Sequence, residues 1–579
     1  MLFSVWAPLP ARVAVVVEGG EHPMTAGSGG WWRANVPVTG LEPAYGFRVD
    51  GDDTVLPDPR SRRQPDGVHG PSRRYDDAAH PWADSGWTGR PLAGAVVYEL
   101  HVGTFTPDGT FDAAIGRLDH LVDLGVDFVE LMPVNAFNGV HNWGYDGVLW
   151  YAVHEPYGGP DGYKRFVDAC HARGFGVIQD VVHNHLGPSG NYLPRYAPYL
   201  SEHAANTWGA SLNLDGPDSD EVRRYLIDNA LMWLHDFHVD GLRLDAVHAL
   251  HDERATHLLE QMAAEVDALA AHLGRPLSLI AESDLNDPTL VTPCQAGGYG
   301  LAAQWSDDFH HALHALLTGE RQGYYADFGS LPGLAKVLTR VFFHDGTWSS
   351  FRRRDHGRPV DPLRTPAWRF LGYLQNHDQI GNRATGDRIS ATLTPGLLAV
   401  GATLVLTIPF TPMLFMGEEW GARTPWQFFT SHPEAELGQA TARGRRQEFA
   451  AHGWAETDVP DPQDPTTYTR SRLDWTELDR DPHRDLFGLH QRLIRLRRAE
   501  PDLSDPRLSR VRVDYDEAAR WLVVHRGRLR VACNLAGHEQ RVPLDAPAEV
   551  LVGTHPSVAA IGTEVELPAE SAAVLRVDV

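Results

Sequence analysis

Four short polar runs carry side chains capable of acid–base or nucleophilic chemistry. They are Asp180, His183, Asn184 and His185 in IQDVVHNH; Arg243, Asp245 and His248 in GLRLDAVH; Glu282 in LIAESD; and Asn376, His377 and Asp378 in LQNHDQ. Each run closes an apolar stretch. In GLRLD, a period of two sends Gly241, Arg243 and Asp245 to one side and Leu242 and Leu244 to the other. A guanidinium beside a carboxylate favours its charged form, and an anionic aspartate is a poor acid but a serviceable nucleophile. The same alternation turns Glu282 toward the pocket side without a basic neighbour in its own strand. Near other carboxylates its pKa should rise, which suits a general acid. One anionic and one protonated carboxyl group facing each other is the arrangement glycoside hydrolysis uses.

Plainer readings stand beside these. An isolated Arg-x-Asp is most often a structural ion pair. His183-Asn184-His185 is compatible with a metal site or a nuclease motif, although no other cluster has metal-ligand spacing. Asp180 and Asp378 are compatible with strand-end caps, and His310–His311 reads as a helix-surface pair. The functional reading draws its weight from joint occurrence: four polar clusters, each at the end of a separate predicted strand.

The elements that must position them follow a rhythm. Up to about residue 90 the chain shows short strand-like runs (SVWAP, RVAVVVE, WWRANVPV, YGFRVDG) separated by Gly, Pro and Asp, as in a small β-sandwich. From Ala95 apolar strands alternate with amphipathic helices. One helix is predicted over TFDAAIGRLDHLVDLG, capped by Thr110, stopped by Gly125, and burying Ile115, Leu118, Leu121 and Val122. Another carries Tyr163, Phe166, Val167 and Cys170 on one face, making Cys170 a core residue. Eight strands, apolar on both sides, predict an α/β fold with a closed (β/α)8 TIM barrel; an open doubly wound sheet is the alternative. After about Pro501 strand-like runs return. The expected organisation is an N-terminal β-sandwich over 1–90, a catalytic barrel over 91–500 and a small all-β domain over 501–579. In a barrel, the four clusters would converge on the face where the strands end.

Composition limits the partners. Over 579 residues, 51 Lys and Arg against 76 Asp and Glu give a net charge of −25, which disfavours nucleic acid and anionic membrane. Seventeen Trp and seventeen Tyr, with many carboxylates, suit a neutral, hydroxyl-rich ligand. Three scattered cysteines (Cys170, Cys294, Cys533) and the absence of a leader-like or membrane-spanning stretch predict a cytoplasmic protein.

DVVHNH, GLRLDAVH, AESD and NHD resemble, in order and spacing, the four sequence regions of the α-amylase family of glycoside hydrolases and transglycosidases. WGYDG at 143–147 resembles the segment that supplies an aromatic platform for the sugar at the cleavage point. The resemblance implies Asp245 as nucleophile, Glu282 as acid/base and Asp378 as the carboxylate that holds and distorts the reacting glucose. It implies Tyr145, Asp180, His185, Arg243, Asn376 and His377 as substrate contacts. The N-terminal run is similar to the β-sandwich before the barrel in glycogen branching enzymes. DVVHNHLGPSGNYL, RLDAVHAL, AESDLNDP, QWSDDFHHALH, LQNHDQIGNR and FMGEEWG together resemble those members that cut the α-1,4 bond next to the terminal trehalose of a maltooligosyltrehalose. The alternatives are an α-1,4-glucan branching enzyme and a barrel that has lost catalysis and only binds glycans or a partner. TWSSFRRRDHGRP, with Tyr324 and Tyr325 upstream, is similar to the surroundings of the trehalose side in those members and implies Tyr325, Phe351 and Arg352 as contacts; a flexible basic surface loop is the other reading. Two positions depart from the family. His248 stands where many amylases carry lysine, so its sugar contact would differ. Asn184 matches a calcium-binding asparagine, but no acidic loop of calcium-ligand type lies nearby, so neither metal nor cofactor is expected. A functional pairing with a maltooligosyltrehalose synthase is a further expectation of the resemblance.

Overall fold

The structure is a computed structural model that describes residues 1–450 and 458–578. Eight parallel strands close into a barrel: β1 (Val97–Leu100), β2 (Phe128–Leu131), β3 (Gly176–Val181), β4 (Gly241–Leu244), β5 (Ser278–Ala281), β6 (Ala303–Trp305), β7 (Phe370–Gly372) and β8 (Thr411–Phe415). Each pairs with its sequence neighbours and β8 returns to β1, so no strand edge is left open.

The period of two divides every strand between two environments. Tyr98, Leu100, Val129, Leu131, Leu242 and Leu244 face outward into the large core shared with the helices. Val97, Phe128, Ile178, Ile280, Ala303, Leu371 and Met413 fill the barrel itself, over Leu92 and Ala95. Further along the same strands the inward residues are polar: Glu99 pairs in register with Glu130, and Asp180 with Arg243. The barrel therefore has an apolar floor and a polar upper storey. This leaves the site on a dry base and open only at the mouth.

The helices follow their caps. Thr110 accepts a hydrogen bond from the amide of Ala113, and Gly125 stops the chain with φ 95°. The predicted single helix is broken, however, into Phe111–Ile115 and Leu118–Leu124. Leu118, Leu121 and Leu124 are buried, whereas Ile115 is half-buried and Val122 is exposed. The helix Gly159–Ala172 buries Tyr163, Phe166, Val167 and Cys170 as the spacing predicts. His310 is buried inside the helix Asp307–Thr318, stacked near His314 and Tyr373, so His310–His311 is not a surface pair. His310 Nδ1 meets His311 Nδ1 at 3.0 Å within the fold.

Two β modules flank the barrel. N-terminal strands form a three-stranded and a four-stranded sheet over a core of Phe3, Val5, Val13, Val15, Val17 and Phe47. In Val13–Val17 the alternation is visible directly, with odd positions buried and even positions half-buried. C-terminal strands form a five-stranded and a three-stranded sheet around Val523, Ala532, Val542 and Val565. No helix among the described residues is long and apolar enough to cross a membrane.

The bottom of the barrel is fastened by Asp240, which immediately precedes β4. Its buried carboxylate accepts from the Trp87 indole at 2.8 Å, the Arg275 guanidinium at 2.7 Å and the Val177 amide at 2.9 Å, and meets His171 at 3.0 Å. Asp240→Ala would leave the Arg275 guanidinium without its buried carboxylate and His171 with Asp84 alone, at a cost of about 3–5 kcal/mol. The expected result is a thermal midpoint several degrees lower at one scan rate, with turnover at 25 °C retained because the chemistry lies at the opposite end. An unchanged midpoint would remove Asp240 from this role.

Candidate active site

The four polar clusters meet at the mouth around one side chain. Arg243 is fully buried, and its guanidinium lies over the Trp305 ring at 4.3 Å. Its Nη1 donates to Asp245 at 2.8 Å and to Asp180 at 2.7 Å, while Nη2 stands 3.6 Å from Glu282. Three carboxyl groups from β3, β4 and β5 therefore surround one cation. Burial of a guanidinium is tolerable only with such partners.

Asp245 is further fixed by Asn184, whose Nδ2 donates to the Asp245 backbone carbonyl at 2.9 Å and to its Oδ2 at 2.7 Å. Of residues 183–185, Asn184 and His185 stay together, with His185 Nδ1 on Asn184 Oδ1 at 2.5 Å, while His183 turns away. His183 is buried against Asn229 at 2.8 Å, and His185 meets the Tyr145 carbonyl at 3.0 Å. No group of three or more His, Cys, Asp or Glu among the described residues is disposed to hold a metal ion.

Glu282 is held by a backbone donor. The residue after Asp245, Ala246, adopts φ 40° and ψ 52°, a left-handed conformation that costs an L-residue about 1–2 kcal/mol. That turn aims the Ala246 amide at Glu282 Oε2, 2.7 Å away. With Oε2 accepting, Oε1 is the oxygen free to carry a proton. Burial, foremost, raises the pKa of Glu282 to about 8; Asp245, Asp378 and Asp307 add to the rise and Arg243 opposes it. The sequence reading had attributed the rise to neighbouring carboxylates, whereas loss of hydration is the larger cause.

Tyr145 joins the first and last clusters. Gly144 reaches φ 108°, where a Cβ would lie 2.1 Å from the Pro133 carbonyl oxygen, so only glycine brings the chain into the mouth here. The Tyr145 hydroxyl donates to Asp180 at 2.6 Å and receives His377 Nε2 at 2.8 Å, and the two rings stack at 5.2 Å. His377 Nδ1 is bound by Glu99 of β1. Burial alone would lower the His377 pKa, but Asp378 and Glu99 more than reverse it, to about 9, so both ring nitrogens donate at neutral pH. Burial raises Asp180 to about 6, with Arg243 opposing. Asp378 is half exposed beside His377 at 3.5 Å.

Beyond Asp378 lies a cavity of about 690 Å3 lined by Asp284, Asp307, Tyr324, Tyr325, Phe351 and Arg352, among others. Arg352 pairs with Asp284 at 2.5 Å and faces the Phe351 ring, which meets Tyr324 edge-on. The basic segment is thus tied to the wall that extends from Glu282. Tyr325 is buried behind Tyr324, which carries the more open ring. Asn376 is buried, and its Oδ1 accepts from the Gln379 amide as the cap of the helix His377–Gly381. His248 is exposed on the turn Val247–Ala249 and joins none of these hydrogen bonds.

Sequence reasoning missed Glu99, Asp307 and Trp208. Glu99 interrupts an apolar strand run, a visible signal, but its partner is 278 positions away. Trp208, stacked on His185 at 5.2 Å and half exposed, has no sequence signal of its own.

Residues 56–208 match the family described as alpha amylase, catalytic domain, and residues 506–574 match a domain of unknown function, DUF3459. The malto-oligosyltrehalose trehalohydrolase of Rhizobium sp. (strain M-11) is 58% identical over 99% of this chain and 97% of its own. That of Arthrobacter ramosus is 63% identical over 93% of this chain and 94% of its own. A 1,4-alpha-glucan branching enzyme of Thiobacillus denitrificans is 32% identical over 53% of this chain and 47% of its own. A crystal structure of a Salmonella typhimurium protein, provisionally described as an alpha amylase, superposes with a TM-score of 0.91 at 37% identity, covering 99% of this chain and 97% of that one. With that similarity over its whole length, and with the strand-end clusters assembled in one mouth, the chain belongs to the malto-oligosyltrehalose trehalohydrolase family of α-amylase-type glycoside hydrolases.

Proposed function

We propose that the protein is a retaining glycoside hydrolase that cleaves the α-1,4-glucosidic bond next to the terminal trehalose of maltooligosyltrehalose and releases free trehalose. The observation that supports it most is the shared guanidinium: Asp245 and Glu282 lie on the two terminal nitrogens of Arg243, one bonded at 2.8 Å and the other held at 3.6 Å.

In this reading, Asp245 attacks the anomeric carbon while Glu282 passes its proton to the departing trehalose oxygen. The maltooligosyl chain stays on Asp245 as an ester. Glu282, now a carboxylate, takes a proton from water as the water oxygen attacks the anomeric carbon, breaking its bond to the Asp245 oxygen and freeing Asp245 as a carboxylate. Asn184 and Arg243 fix the attacking carboxylate, so little reorganisation accompanies attack. Tyr145, supported by Asp180 and His377, offers a ring face to the reacting glucose, while His377, Asp378 and His185 bind its hydroxyls. The cavity lined by Tyr324, Tyr325, Phe351 and Arg352 continues from Asp284, two residues beyond the acid, and takes the leaving disaccharide. Its volume is of the size usual for small-molecule sites. His248, exposed just past the nucleophile, would reach only the rim of that side. The substrate must come from a reaction that converts a terminal α-1,4 link to trehalose, which is the place of the synthase pairing. The free thiols Cys170, Cys294 and Cys533 accord with a cytoplasmic setting.

Incubation with maltooligosyltrehalose is expected to give free trehalose and an oligosaccharide released first as its α-anomer. New α-1,6 branch points from amylose, without trehalose, would instead indicate transglycosylation, and no turnover at all a binding protein. Asp245→Asn should cut turnover by on the order of 10^4-fold with the thermal midpoint maintained; near-normal turnover would end the assignment. Glu282 must be protonated for bond cleavage and loses that proton as pH rises through about 8. The kcat/KM profile should therefore fall about tenfold per pH unit above that point, and Glu282→Gln should abolish that limb.

A further inference from the structure

Residues 307 and 308 form an acidic pair whose two members have different surroundings. Asp308 is buried and accepts from the amides of Phe343 and His344, at 2.7 and 3.0 Å, and from the Asn286 side chain at 2.8 Å. It fastens the segment that leads to Phe351. Asp307 opens the helix that follows β6, at the face of the barrel where the chemistry lies. Its Oδ1 accepts from the Tyr373 hydroxyl at 2.6 Å and from Gln379 at 3.4 Å. Its Oδ2 takes no hydrogen bond from a described residue, and the half-buried carboxylate lines the same cavity as Tyr324, Arg352 and Asp378.

We propose that Asp307 is a specificity-determining residue of this cleft: its open oxygen accepts hydroxyl hydrogen bonds from the departing disaccharide, and its charge helps retain the proton on Glu282. The proposal rests on the function read above and adds to it a carboxylate that the four family regions do not contain. The wall chemistry selects the ligand. Arg352 is paired to Asp284, and Arg383 to Glu320 and Asp387, so the described wall residues leave no unpaired arginine for an anion. Acceptor oxygens beside the Tyr324 and Phe351 rings suit a neutral polyol that donates from its hydroxyls and stacks its C–H face. Tyr373 fixes the carboxylate from behind, so the open edge has one direction.

The charges around the two groups are specific. Glu282 faces Arg243, Asp245, Asp378 and Asp307. Asp307 faces Asp378, Asp284 and Arg352 together with the Tyr373 hydroxyl, and Asp308 adjoins it; burial, foremost, raises its own pKa to about 6. Above that pH it is charged, while Glu282 still holds its proton.

The test is Asp307→Asn, which keeps the shape and an oxygen for Tyr373. Trehalose release by the parent enzyme is measured first; its failure would strike the function reading, and the pH comparison is then made on whichever glucan the parent cleaves. In the variant, inhibition by free trehalose should weaken about tenfold or more, and KM for maltooligosyltrehalose should rise with it. The basic limb of kcat/KM should move to lower pH by about half a unit to one unit. An inhibition constant and a limb position do not depend on how much of the sample is folded, so a destabilised variant is read equally well. Unchanged trehalose inhibition together with an unmoved limb would overturn the proposal. Asp308→Asn is the contrast: it should lower the thermal midpoint and leave the limb in place.

Discussion

The buried guanidinium of Arg243 is the constraint on which the mouth of the barrel depends. A cation removed from water must be met by anions or it destabilises the fold by several kcal/mol. The carboxyl groups that meet it include the two to which the proposed mechanism assigns attack and proton transfer. Asp180, Asp245 and Glu282 come from three adjacent strands and gather on one side chain, with Trp305 beneath it. Stability of the upper barrel and geometry of the reacting groups are thus one problem with one solution. The cation also separates the roles: it bonds Asp245 directly and reaches Glu282 only at 3.6 Å, where burial prevails.

A second net reinforces the first. Glu99 holds His377, His377 holds Tyr145, and Tyr145 donates to the same Asp180 that binds Arg243. This chain of contacts joins β1, the segment after β7 and the loop after β2 without help from either β module. The closed sheet sets where the links stand, and the apolar floor keeps solvent from reaching them from below.

How far the residues announced this can be argued from particular cases. The eight barrel strands were legible because each is apolar on both faces and ends in polar residues. The opposed directions of Arg243 and Leu242 followed from the strand period alone. Val122 was misplaced because the buried face runs through Phe111, Ala114, Leu118, Leu121 and Leu124, which leaves Val122 on its exposed margin. His310 was misread because its burial comes from Tyr373 and Tyr325, which the chain supplies much later. The cap that Asn376 supplies to a five-residue helix was available from its position before that helix. The left-handed turn at Ala246 carries no signal, since alanine is not a residue that favours it. Asn184 kept a position linked elsewhere to calcium, but here it is engaged with Asp245.

That Ala246 turn bears on how such a catalyst drifts over time. Because the amide following Asp245 grips Glu282, the gap between the two groups is gauged by a few consecutive backbone atoms, as by a caliper, and not by the independent settings of two strands. A replacement in the outer helices that tilts β4 therefore carries the end of β5 with it. In the proposed double displacement, turnover would change under such shifts while the anomeric configuration of the product would not.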